Sequence, residues 1–211
     1  MARRVSTVAQ QKGGAGKTTL AAHLAVAWAE QGRDVATVDI DPQGSLSRWH
    51  DARAAALDGA TGLTHVRITG WRTQREVERL AGAHDLVVVD GPPHAETEAR
   101  IAVRAAGLVV IPVQPSPMDL WATQPTLDLA REEGVPVLIV VNRVPPRARL
   151  ADELVERIRA LGVDVARTQI GNRVQYAAAL FEGRSVTEQV RRTRAAEEIR
   201  ELAAEILEHL G

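Results

Sequence analysis

The sequence predicts an α/β fold, a single doubly wound, mostly parallel sheet with helices on both faces. Three observations predict it. Apolar runs alternate with helix-period segments from one end of the chain to the other. Several of those runs are continuously apolar, as parallel strands buried on both faces require. The connections are short, and glycines such as Gly32 and Gly162 close helical segments where a left-handed residue is wanted. No linker, repeat or low-complexity tract divides residues 1–211, which read as one domain.

Each element has its own signal. The β-rich run Val5–Ala9 opens the chain, and Thr18–Gln31 follows as a helix with Leu20, Leu24 and Trp28 on one stripe. Val35–Val38 is a short apolar strand, succeeded by a helix over Ser45–Ala56. His65–Ile68 and Thr73–Ala83 make the next strand–helix pair, and Leu86–Val89 with Glu96–Ala106 the one after. Leu108–Val113 and Val137–Val141 are continuous apolar strands flanking a helix predicted over Asp119–Glu133. A helix over Leu150–Leu161, a weaker strand at Val163–Arg167 and a helix over Asn172–Glu182 come next. The last helix is predicted over Thr187–Leu210, with Ile199, Leu202, Ile206 and Leu210 on one stripe and an acidic face opposite.

Composition sets limits on function. The chain is 45% apolar and 25% charged with a formal net charge of −1, an ordinary globular balance. It has no cysteine, which excludes disulfides, thiolate metal sites and Cys-ligated iron–sulfur clusters. No apolar run approaches the ~18–20 residues a bilayer-spanning helix needs. The first strand begins without the apolar stretch of a signal peptide, so the expected compartment is the cytoplasm. Near-neutral charge argues against a surface coated in basic residues, though not against a local basic patch. Of the 26 basic residues, 24 are arginine, and the two lysines, Lys12 and Lys17, fall in one glycine-rich loop. A compact ammonium is needed at those two places.

That loop is Gln11-Lys12-Gly13-Gly14-Ala15-Gly16-Lys17-Thr18-Thr19, set between a strand and a helix start. In such a setting backbone N–H groups and the helix dipole converge on phosphate, and glycines let the chain wrap closely round the anion. Gly13, Gly14, Ala15, Gly16, Lys17, Thr18 and Thr19 are therefore the expected nucleotide cradle. Lys17 would reach the terminal phosphates, and the Thr18 hydroxyl would ligate Mg²⁺. Two further acidic segments end strands: Asp39-Ile40-Asp41-Pro42-Gln43 and Val89-Asp90-Gly91-Pro92. Ligands of open α/β sheets bind at the carboxyl ends of strands. Asp90, after four apolar residues, fits a strand that holds Mg²⁺ through a water.

Together these segments resemble the ParA/MinD superfamily of deviant Walker A ATPases, a P-loop NTPase group. The resemblance runs through nearly the whole chain, including Pro112-Val113-Gln114-Pro115-Ser116-Pro117-Met118-Asp119-Leu120-Trp121. It implies slow ATP hydrolysis to ADP, with Mg²⁺, by an ATP-dependent homodimer. It also implies that Lys12 reaches across the dimer to the partner's nucleotide and acts with Lys17 and Asp41 in catalysis. In that family the first acid, here Asp39, supports Mg²⁺ through water, and the second, here Asp41, orients the attacking water. The superfamily often places an asparagine against adenine, and Asn142 is in position for it. Gly171 stands where the family usually has a proline near the base.

Differences from other branches narrow the resemblance. The missing cysteines separate the chain from nitrogenase iron-protein relatives, and Tyr176, its single tyrosine, from the tyrosine kinases. The tail carries Glu197, Glu198, Glu201, Glu205 and Glu208, which an anionic bilayer would repel, so no membrane partner is expected. Only four residues precede the first strand, so autonomous operator repression through an N-terminal helix-turn-helix is not expected. The short ParF-like class of ParA partition ATPases fits best. It implies non-specific DNA binding on the nucleoid by the ATP dimer. A ParB-like or adaptor protein stimulates hydrolysis, and a cargo is moved. Plasmid or chromosome partition is the first expectation, and positioning of a protein cluster such as a chemoreceptor array the second. A MinD-like membrane switch and a dethiobiotin-synthetase-like enzyme are more distant. DNA contacts outside the loop must come from arginine; Arg191, Arg192 and Arg194 form the densest basic group, which Arg173 and Arg184 could join. A solvated face with salt bridges to nearby glutamates is the competing reading of the same residues.

Overall fold

The computed structural model describes residues 4–92, 96–146 and 149–211; side chains at 96 and 149–151 lie outside the description. Seven strands form one sheet, all pairs parallel, in the order β3-β2-β4-β1-β5-β6-β7. They are β1 Val5–Val8, β2 Val35–Asp39, β3 Thr64–Arg67, β4 Leu86–Asp90, β5 Leu108–Val113, β6 Val137–Val141 and β7 Asp164–Val165. The weak strand expected over Val163–Arg167 shrinks to two residues at the sheet edge. The next N–H groups, of Arg167 and Thr168, leave the ladder for a glutamate side chain.

The helices are α1 Lys17–Ala29, α2 Ser45–Ala56, α3 Thr73–Ala83, α4 Glu96–Ala105, α5 Pro117–Trp121 and α6 Gln124–Glu132, then α7 Arg149–Ala160, α8 Val174–Phe181, α9 Val186–Gln189 and α10 Arg194–Leu210. Two predicted helices are each divided. The stretch expected over Asp119–Glu133 breaks after Trp121, and Pro125 sits in the first turn of α6, where its missing N–H costs nothing. The stretch expected over Thr187–Leu210 breaks at Val190, and Thr193 caps a fresh helix by accepting the Ala196 N–H. Arg191 and Arg192 consequently lie in a loop.

The sheet has two apolar faces with alternate residues on each. Val8, Val88, Val110 and Val140 join α1 and α10 in one core. Val87 and Val89 pack with α3, while Val109, Ile111, Ile139 and Val141 pack with α6 and α7. Helix α1 departs from the one-stripe expectation because α10 covers its outer side. Ala21, Ala22, Ala25 and Ala27 are all buried, and Trp28 donates its indole N–H to the Ala203 carbonyl at 3.0 Å. The apolar stripe of α10 (Ile199, Leu202, Ile206, Leu210) is spent in that contact. Among the described residues no helix is long and apolar enough to cross a membrane.

Candidate functional site: a phosphate loop beside two strand-end acids

Sheet order brings the three motifs together. β4 lies between β2 and β1, so Asp39 pairs in register with Asp90, and Asp90 with Val8, the last residue of β1. The loop rises from β1 between these acids and β5. Gly16 takes φ +95° at the start of α1, a left-handed conformation that glycine adopts freely. A Cβ there would lie 2.5 Å from Asn142 Nδ2, so the close approach also demands glycine. Asn142, at the end of β6, donates Nδ2–H to the Ala15 carbonyl at 2.8 Å and accepts the Arg143 N–H at 2.9 Å. In this structure the residue expected against adenine ties down the phosphate loop.

The cleft above the loop is about 560 Å³, lined by Gly13, Gly14, Lys17, Thr18 and Asp41 and walled by Arg48 and Arg143. Lys17 is nearly buried. Desolvation lowers its ammonium from the ordinary value, and Asp90 and Asp41 pull the other way. Thr18 donates its hydroxyl to Asp90 Oδ2 at 2.7 Å. Asp90 Oδ1 is buried without a partner, and burial pushes that carboxyl up to about 7, with Thr18 opposing and Asp39 adding to the rise.

An orphaned carboxylate oxygen beside a hydroxyl is an all-oxygen, hard donor set, and it fits Mg²⁺. Thr18 would hold the ion directly and Asp90 through water. Among the described residues no cluster of three or more His, Cys, Asp or Glu forms a closed metal cage. When bound, Mg²⁺ would neutralise phosphate charge.

Asp39 and Asp41 differ sharply. Asp39 is fully buried; its Oδ1 accepts the Asp41 N–H at 3.1 Å, and its Oδ2 accepts the Ser47 N–H and hydroxyl at 2.8 and 2.7 Å. It therefore supplies the cap that Gly44, at the α2 N-terminus, lacks. Ser47 is held in turn by His65 Nε2 at 3.0 Å, and His65 Nδ1 by Thr37 at 2.9 Å. Asp41 lines the cleft with one oxygen on the Gln43 N–H at 2.9 Å, facing the loop lysine.

Lys12 points away from the cleft's own phosphate cradle. Its Nζ lies 2.6 Å from Asp119 Oδ2 on α5, and it is 38% exposed against 4% for the carboxylate. Of the arginines singled out from sequence, two are committed. Arg173 forks onto Glu198, and Arg194 pairs with Glu197, Glu198 and Glu201. Arg191 comes only to 4.0 Å from Glu30, and Arg192 makes no ion pair among the described residues. Asp119, Ser47, His65, Arg143 and Glu198 carry no site role that the sequence alone announces. Arg143, with φ +53°, carries no sequence signal for its left-handed backbone, which stays at such sites only when neighbours enforce it.

A profile of the CobQ/CobB/MinD/ParA nucleotide binding domain matches residues 6–186. The maintenance of carboxysome distribution protein A of Halothiobacillus neapolitanus is 33% identical over 207 residues, covering 95% of this chain and 94% of its own length. Its namesake from Gloeobacter kilaueensis is 37% identical over 188 residues, covering 87% and 83%. The chromosome-partitioning ATPase Soj of Thermus thermophilus is 32% identical, covering 97% and 95%. Among solved structures, the septum site-determining protein MinD of Pyrococcus horikoshii, complexed with Mg-ADP, superposes with TM-score 0.78 at 19% identity, covering 96% and 95% of the two chains. The chain belongs to the CobQ/CobB/MinD/ParA nucleotide-binding family and stands among its ParA/MinD-type ATPases.

Proposed function

We propose that this chain is a Mg-ATP-driven switch that dimerises with ATP, holds DNA without sequence preference and distributes a large protein assembly in the cell. The observation that carries the switch is Lys12. It is one of two lysines in the chain, and it stands outside its own phosphate cradle with Met118 and Trp121 exposed on the same short helix as its partner Asp119. A second copy brought against that face would bury the two apolar side chains and offer Lys12 another anion. Two triphosphates facing each other need such a cation.

The choice of cargo rests on the relatives. Two proteins named for carboxysome distribution resemble the chain at 33% and 37% identity, which favours a protein assembly over the plasmid or chromosome first expected. Partition of DNA stays as the second reading, on the 32% likeness to Soj. A membrane switch is disfavoured, because the apolar stripe of α10 is buried against α1 and its exposed side carries Glu197, Glu201 and Glu208.

The deciding experiment deletes the gene and measures two things in the same cells. Electron cryotomography should show large protein assemblies clustered rather than spaced, with plasmid and chromosome loss rates unchanged. Evenly spaced assemblies with elevated DNA loss would overturn the first reading in favour of partition.

A further inference from the structure

The face of α10 that reads as solvent-facing acid hides two glutamates. Glu198 and Glu205 are only 3% and 4% exposed, seven residues apart and thus two turns along one side. Both accept backbone N–H groups from the same neighbouring segment. Glu205 takes those of Arg167 at 2.7 Å and Thr168 at 3.2 Å; Glu198 takes that of Gly171 at 3.0 Å. Seven helical residues rise ~10.5 Å, close to the ~10 Å covered by three extended residues from 168 to 171. The spacing of the two carboxylates thus matches the segment they hold.

Glu198 does more than bind one amide. It accepts the Tyr176 hydroxyl at 2.6 Å and the Arg173 guanidinium at 2.6 Å, which fastens the start of α8 to the same point. The neighbouring N–H groups are otherwise engaged: Ile170 donates to Val141 and Asn172 to Val144, leaving the Gly171 N–H for the carboxylate. Ile170, Gly171, Asn172, Val174 and Tyr176 then wall a cavity of about 420 Å³ that continues from Gly16 and Thr19 of the phosphate loop. A nucleotide whose phosphates lay on Lys17 would extend its base and ribose towards this wall.

We propose that Glu198 is the positioning residue of the base-binding wall, holding Gly171, Arg173 and Tyr176 in place by hydrogen bonds rather than by a rigid residue in the segment. The idea rests on the nucleotide reading of the loop. It also accounts for glycine at 171: the family's proline has no N–H to give, whereas here that N–H is the tether. Charge-assisted bonds to a buried carboxylate are strong, and losing one leaves its partner without a mate.

The test compares binding of ATP with binding of inorganic tripolyphosphate, by calorimetry, in the full chain. Tripolyphosphate reports the loop alone, and ATP reports loop and wall together. Glu198→Gln and Gly171→Pro should weaken ATP on the order of tenfold while leaving tripolyphosphate unchanged. Tyr176→Phe removes the hydroxyl that reaches Glu198 and the Ala195 carbonyl without altering charge, and it decides the matter should Glu198→Gln not fold. ATP affinity unchanged in Gly171→Pro and Tyr176→Phe, or ATP and tripolyphosphate weakened in parallel, would overturn the proposal. A parent chain that binds neither ligand would instead overturn the nucleotide reading beneath it.

Discussion

Lys12 Nζ sits 2.6 Å from Asp119 Oδ2, so the lysine that family resemblance assigns to a partner subunit is held by its own. The carboxylate is almost fully buried, and its second oxygen has no partner. Reaching across a dimer would require Lys12 to leave this pair, which makes Asp119 a competitor for the ammonium. Asp119→Asn keeps the shape and removes the charge. Because Lys12 is partly exposed, the pair holds it by about 1 kcal/mol. The variant should therefore dimerise with ATP at several-fold lower protein concentration, measured by sedimentation velocity. An unchanged or weaker dimer would show that Asp119 does not restrain Lys12.

Asn142 offers two separable roles. Its amide is bound to Ala15 and Arg143, so Asn142→Ala frees a loop carbonyl and loosens the cradle under the phosphates. The expected result is a loss of about tenfold in affinity for ATP and tripolyphosphate alike, from one buried hydrogen bond and its orphaned acceptor. A selective loss of ATP, with tripolyphosphate unaffected, would restore the adenine role that its position at the end of β6 suggests.

The alternation of apolar runs made the sheet and the strand-end acids legible, because parallel strands buried on both faces cannot hide their composition. Asp39 and Asp90 pair at the ends of β2 and β4, Thr18 bonds to Asp90, and Lys17 and Asp41 line the same cleft. What stayed hidden depends on residues distant in sequence. Lys12 and Asp119 are 107 positions apart and Asn142 and Ala15 127, and nothing local in either segment announces the other. The acidic side of α10 misled for a different reason. Helical periodicity shows which glutamates share a face, but not that backbone N–H groups will come to meet Glu198 and Glu205.

The basic patch becomes smaller and easier to test. Arg173 and Arg194 are engaged by Glu198, so charge reversal there would disturb the fold as well as any DNA contact. Arg191 and Arg192 lie exposed in the α9–α10 loop. Arg191→Glu with Arg192→Glu should abolish ATP-dependent retention of random-sequence DNA in a mobility-shift assay, while calorimetric ATP affinity stays within about twofold. Retention that survives the double reversal would place the DNA surface elsewhere.

His23 yields a prediction about acid. It lies fully buried on α1, its Nδ1 accepting the Val186 N–H at 3.3 Å and its Nε2–H directed at the Tyr176 carbonyl at 3.2 Å. Burial lowers it from 6.5 to about 4, against smaller opposing effects of the Tyr176 carbonyl and Glu188. The folded-state value is the lower one, so on acidification the unfolded chain takes up the proton first. The stability carried by neutral His23 is complete above 6.5 and is lost as pH falls towards 4, on the order of 3 kcal/mol. His65, also lowered to about 4, acts in the same direction. Asp90, raised to about 7 from 3.8, acts oppositely and gains stability as the pH falls. Comparing the parent with His23→Gln, without nucleotide or Mg²⁺, cancels both. Glutamine keeps one donor and one acceptor but cannot titrate, so the parent's advantage, from urea unfolding, should shrink between pH 7 and pH 4.5. A difference that stays constant across that range would mean that His23 is not held neutral by its burial.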